Sequence, residues 1–172
     1  MHSFINDLSQ QGLGSMAGFT RRAEAIYDEN LGAYVRLVLR RPFSKLIDFV
    51  DSGEKLLKAL SPSEVASSST HNKATLKKLI KDNTAKDVKR NIDSMFKRVE
   101  KHFMEGDEAG GGGSATGVAL PGTVLLVVWK ACEDEVISIT ERFLKFISAC
   151  HKESSAEYSV ADVEAAFRKH RA

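Results

Sequence analysis

Five histidines, two cysteines and one run of three acidic residues are the groups in this 172-residue chain from which a reactive or metal-binding site would have to be assembled. His2, His71, His102, His151 and His170 are scattered, and none stands at ligand spacing from another; neither a His-Glu-x-x-His helix nor a Cys-x-x-Cys pair occurs. Cys150 and His151 are neighbours, so on a helix they diverge by about 100° and do not converge on one ion. Cys132 and Cys150 are too few for a Cys-rich zinc site or a disulfide framework. Both fall in an apolar helical pattern, which predicts buried free thiols in a reducing compartment. Gly112 to Gly117 fits the frame of a phosphate-binding loop, but Val118 and Ala119 stand where Lys and Ser or Thr are needed, and no strand leads in; a linker is expected. Glu133, Asp134 and Glu135 could share acid–base work only if burial separated their proton affinities. Their place on the polar side of an amphipathic helix predicts a solvated face instead. No catalytic residue, metal or cofactor is expected.

Charge is the feature with a functional flavour. The whole chain carries a formal +2, too little to argue for nucleic acid or an acidic membrane. Between residues 73 and 101, however, ten basic side chains (Lys73, Lys77, Lys78, Lys81, Lys86, Lys89, Arg90, Lys97, Arg98 and Lys101) stand against four acidic ones, an excess of six. Three readings of this face stay open: docking of an acidic partner helix, attraction to anionic lipid head groups at about 1 kcal/mol per cation, and plain solubility. Nucleic acid is not expected, because no aromatic residues alternate with the basic ones.

The elements that must carry these residues are all helical. Tyr27, Leu31, Tyr34 and Val38 follow at spacings of 4, 3 and 4, which puts them on one helical face. Pro42 is expected to end or kink that helix, because it lacks an N–H and clashes with the preceding turn. Phe43, Leu46, Val50, Leu57 and Leu60 resume a stripe, with Gly53 at the missing step. Ser61-Pro62-Ser63-Glu64 is a capping box with proline at the first helical position; residues 66–70 read as a loop. A short basic helix, Lys73 to Asp82, turns Leu76, Leu79 and Ile80 inward. Thr84 with Asp87 opens a longer one bearing Val88, Ile92, Met95, Phe96, Val99 and Phe103. The clearest helix starts near Thr123, where Leu125, Trp129, Cys132, Val136, Ile139, Phe143, Phe146 and Cys150 alternate spacings of 4 and 3, widened by Leu126, Ile137, Leu144 and Ile147. So wide a stripe suits a helix in a bundle rather than a two-stranded zipper. Ser159 with Asp162 caps a last helix. The prediction is an all-α antiparallel bundle of six or seven helices spanning 20–172, after an irregular lead-in over 1–19 and with a flexible Gly-rich loop at 105–122. No secretory signal, glycosylation sequon or prenylation box is present, and the longest apolar stretch, Val118 to Trp129, is too short to span a bilayer and holds Pro121 and Gly122. These features predict a cytosolic chain.

Several runs together resemble a known family. They are Arg41-Pro42 followed by Lys45-Leu46 and Phe49, then Asn72-Lys73-Ala74-Thr75-Leu76-Lys77-Lys78-Leu79-Ile80-Lys81, and Lys86-Asp87-Val88-Lys89. Phe96-Lys97-Arg98-Val99-Glu100-Lys101-His102-Phe103, Leu125-Leu126-Val127-Val128-Trp129 and Asp134-Glu135 continue the order. Over about Arg40 to Cys150 the chain looks like the extreme C-terminal region of exocyst component one, the Sec-three subunit. It departs in one place: a glycine-rich insertion stands where relatives are expected to carry a short acidic linker. The resemblance implies a non-catalytic scaffold role in the complex that tethers secretory vesicles to the plasma membrane. It also implies a rod of stacked helical bundles of which this is the end piece, and a cytoplasmic location at sites of polarised secretion. The implied partners are other exocyst subunits. Small GTPases or SNARE proteins would be reached through the full-length protein, whose lipid- and GTPase-binding module lies at its other end.

Overall fold

The computed structural model describes residues 17–104 and 121–171. Among them are six helices and no strand: α1 Ala17–Leu57, α2 Pro62–Ser67, α3 Lys73–Asp82, α4 Ala85–Met104, α5 Pro121–Cys150 and α6 Val160–Arg168. The short connections are closed by the signals the chain advertises. At α2 the Ser61 N–H donates to Glu64 Oε2 at 2.8 Å while the Glu64 N–H reaches back to Ser61 Oγ at 3.4 Å. Thr84 and Asp87 at the start of α4, and Ser159 and Asp162 at the start of α6, make the same reciprocal pair. Asn72 closes α3 by accepting from the Thr75 N–H at 2.9 Å.

Helices α1, α4, α5 and α6 alternate in direction. Tyr34 meets Phe103 and the Pro42 carbonyl accepts from Asn91, so α1 and α4 are antiparallel. Trp129 meets Phe167 while Thr140 lies by Tyr158, so α6 runs against α5. Leu31 neighbours Ala131, and Gly53 touches Phe146, so α1 and α5 lie side by side in the same sense. These four helices are therefore up-down-up-down, with α1 and α5 as parallel neighbours. The core runs along this contact: Val35, Leu39, Phe43, Leu46 and Val50 of α1 face Trp129, Cys132, Val136, Ile139, Phe143 and Phe146 of α5, and Val88, Ile92, Met95 and Val99 of α4 close a second side. Val163 and Phe167 of α6 are fully buried against them.

Several expectations need adjustment. Pro42 does not end α1, which continues through it and has 41 residues in all. The lost hydrogen bond and ring clash cost about 3 kcal/mol, and burial of Leu39, Phe43 and Leu46 around the site offsets that. The first helix starts at Ala17, inside the stretch expected to be irregular, while residues 1–16 lie outside the described residues. The Gly-rich loop at 105–120 also lies outside them, but Pro121 and Gly122 are the first residues of α5, where a missing N–H is harmless. Ala66 and Ser67 end α2 rather than opening a loop. The stripe Tyr27, Leu31, Tyr34 and Val38 is only half-buried; the deepest line at that end is Val35 and Leu39, one residue round the helix. Leu125 is half-buried rather than fully core, Leu126 is exposed, and Leu60 lies past the end of α1, on the surface.

Gly53 is required by close approach. A Cβ built there would fall 2.5 Å from Phe146 Cε2 and 3.1 Å from His71 Nε2. His71 itself is buried. Its Nε2 lies 2.9 Å from the Phe49 carbonyl, which can only accept, so the proton sits on Nε2 and Nδ1 accepts from the Thr70 hydroxyl at 2.9 Å. His151 donates in turn to the His71 carbonyl at 2.8 Å. Both histidines are thus fasteners of the α2–α3 connection.

Candidate functional site

The ten basic residues of 73–101 divide between two helices. Lys73, Lys77, Lys78 and Lys81 lie on α3 and are all exposed. On α4, Lys86, Lys89, Arg90, Lys97 and Lys101 are exposed and Arg98 is half-buried. At about 100° per residue, Lys86, Arg90, Lys97 and Lys101 fall within about 60° of one another, opposite the Val88–Ile92–Met95–Val99 line. The bundle is thus bound by the apolar side of α4 and presents the basic side outward. Few of these charges are spent internally. Arg90 donates to Asp87 at 2.7 Å, and Lys73 meets Glu153 at 3.4 Å. Lys77, Lys78, Lys81, Lys89 and Lys97 make no ion pair among the described residues.

Two cations outside that stretch join it in space. Arg41 and Lys45, one turn apart on α1, meet Lys81 at the end of α3 and Arg90 on α4 around a polar cleft of about 550 Å³. Lys45 reaches Asp82 at 3.9 Å, tying α1 to α3. The stretch-by-stretch charge count missed this pair, although Arg40-Arg41 and Lys45 form a basic run of their own.

The acidic cluster is not the solvated face expected of it. Asp134 is exposed and Glu135 half-buried, but Glu133 is only 2% exposed. Its carboxylate accepts from Lys130 at 3.2 Å and from Arg171, which reaches over from beyond α6. A buried carboxylate must be paired, and here the partners come from its own helix and from the chain's last turn. Next to it, His170 stacks on Phe96 with ring centres 4.2 Å apart and donates to Asp93 Oδ1 at 2.7 Å. Partial burial pulls the Asp93 carboxyl up, but the His170 hydrogen bond and the Lys169 charge outweigh it and hold the group below its ordinary value. Trp129, expected in the core, sits between Phe96 and Phe167. Arg142 bridges α5 to α1, donating to Asp51 at 2.5 Å and to Glu54 at 2.7 and 2.9 Å. Burial pushes the Cys132 thiol up to about 12 and raises that of half-buried Cys150, so neither is a ready nucleophile. Among the described residues, no three His, Cys, Asp or Glu side chains gather as metal ligands would.

The polar groups inside the bundle thus fasten helices together, while the outer side of α3 and α4 is exposed and cationic. The family model for the exocyst complex component Sec3, C-terminal, matches residues 1–153. The chain belongs to that family. Exocyst complex component 1 of Mus musculus is 27% identical over 165 residues, covering 94% of this chain and 17% of the mouse protein. The Drosophila melanogaster protein of the same name is 25% identical over 170 residues, 97% of this chain and 17% of its own length, and that of Dictyostelium discoideum is 20% identical over 151 residues. The chain therefore spans about a sixth of the curated relatives it matches. No solved structure matches. The Sec3 family match takes in α1 to α5 and ends before α6, although α6 supplies Phe167 to the shared core. Among the described residues, no helix is long and apolar enough to cross a membrane.

Proposed function

We propose that the chain is a non-catalytic helical interaction domain through which an exocyst subunit contacts other subunits of the complex that tethers secretory vesicles to the plasma membrane, on the cytoplasmic side at sites of polarised secretion. The observation that carries this reading is the outer face of α3 and α4, where Lys77, Lys78, Lys81, Lys89 and Lys97 are exposed without acidic partners among the described residues, on a chain that belongs to an exocyst family. An acidic helix of a neighbouring subunit fits that face, since the basic row of α4 follows the helix axis as a docked helix would. Small GTPases and SNARE proteins would meet other parts of the full-length protein.

The test is co-purification with the remaining exocyst subunits. Reversing Lys77, Lys89 and Lys97 to glutamate should abolish capture of one subunit while leaving the helical circular dichroism and melting temperature unchanged. Undiminished capture of every subunit would remove the face from the contact. The competing reading, in which the same face binds anionic lipid, predicts instead that the triple reversal abolishes flotation with vesicles containing phosphatidylserine and spares subunit capture.

A further inference from the structure

We infer that the cleft between α1, the end of α3 and the start of α4 is a binding site for a compact, multiply phosphorylated ligand of the inositol phosphate class, as a free molecule or as a lipid head group. This goes beyond the subunit contact proposed above: it shares Lys81 and Arg90 with that face but turns on Arg41 and Lys45 of α1, which lie outside it, and can fail or hold independently.

Four cations from three helices, Arg41, Lys45, Lys81 and Arg90, ring a cleft of about 550 Å³, within the range of small-ligand pockets. Two carboxylates share it, Asp82 and Asp87, so two positive charges are left over. The carboxylates are already engaged: Asp87 accepts from the Thr84 hydroxyl at 2.6 Å and from Arg90, and Asp82 faces Lys45. Arg41 and Lys81 make no ion pair among the described residues. Arg90 uses one amino group on Asp87, and a guanidinium has five N–H donors. Thr84 and Asp87 already close the N-terminus of α4, so the attraction comes from the side chains rather than from the helix end.

Shape decides the ligand class. An acidic helix or a nucleic-acid backbone presents charge along a line, which the outer row of α4 could track. The cleft gathers its cations around a cavity, which suits several charges on one small frame. Two guanidiniums can each grip a phosphate in bidentate fashion, with the ammonium groups as point charges between them.

The test titrates the 172-residue chain with soluble inositol trisphosphate, followed by amide chemical shifts. A second arm floats it with phosphatidylcholine vesicles with and without phosphatidylinositol bisphosphate. Arg41→Ala with Lys45→Ala should weaken binding about tenfold or more, whereas Lys77→Ala with Lys97→Ala, which removes the same charge outside the cleft, should weaken it less than about twofold. Shifts should cluster at residues 41–46, 81–83 and 87–91. Cleft-dependent binding of the trisphosphate alone identifies a free ligand; cleft-dependent flotation identifies a head group; either sustains the site. Equal loss in both variants, or binding of neither probe, overturns it. Exocyst subunit capture by the Arg41→Ala, Lys45→Ala variant, which leaves the outer face of α3 and α4 intact, should be unchanged, which separates this outcome from that of the subunit contact.

Discussion

Two charges of α5, Arg142 and Glu133, and those on the outer side of α3 and α4 are used in opposite ways. On α5, Arg142 is held by two carboxylates of α1, and Glu133 is held by Lys130 and by Arg171 from beyond α6. Each has at least one partner from another element, α1 for Arg142 and the turn after α6 for Glu133, and these pairs help set how the elements dock. On the outer side of α3 and α4, Lys77, Lys78, Lys89 and Lys97 are exposed and make no ion pair among the described residues. Lys77, Lys89 and Lys97 gain nothing from folding and are free for encounter. Position relative to the bundle axis, not residue type, separates a charge that holds the fold from one that is available to a partner.

The contrast can be pushed hardest on the inner side. Gly53→Ala places a methyl group 2.5 Å from the Phe146 ring on the α1–α5 contact, and it should cost about 2–3 kcal/mol in urea unfolding. An unchanged midpoint would mean that the two helices are not packed this closely. Arg171→Ala leaves Glu133 buried with Lys130 alone and should cost roughly 1–2 kcal/mol by the same measurement; a loss no greater than that of an exposed lysine would place Glu133 with the surface charges.

A smaller effect separates the two regions by pH. The hydrogen bond from Arg142, aided by its charge, holds the Glu54 carboxyl below its ordinary 4.5. With the folded value depressed, the stabilisation is present above pH 4.5 and is lost as pH falls through the folded value. The unfolding midpoint should therefore drop on the acid side, and Arg142→Gln should flatten that drop. Because Glu54 is 42% exposed, screening keeps the change modest. Smallest of all, Lys77→Gln with Lys89→Gln should move stability by less than about 0.5 kcal/mol, while on the subunit-contact reading it weakens capture. A larger shift in melting would show that the outer face also supports the fold.

What could be read along the chain was local. Ser61 with Glu64, Thr84 with Asp87 and Ser159 with Asp162 each signal a helix start within four residues, and all three pairs form. The apolar line from Trp129 to Phe146 is long enough to reveal its own face, and the basic row of α4 follows from the same rotation. Longer-range facts were not readable in this way. A period of 3.6 residues assigns a face to each helix, but over 41 residues small errors accumulate, and Val35 and Leu39 replaced the expected line at the start of α1. Glu133 looked solvated because its own helix is polar there; only the return of Arg171, 38 residues later, covers it.

The sequence by itself determined that the chain is helical, where its short helices begin, and that α3 and α4 carry an excess of positive charge, because caps, periodicity and composition act over a turn or two. Tertiary structure alone decided that α1 lies parallel to α5, that Gly53 must lack a side chain, and that Arg41 and Lys45 meet Lys81 and Arg90 around one cleft. These depend on how helices dock across separations of roughly 40 to 90 residues, where many side chains pack at once and no local pattern specifies the outcome.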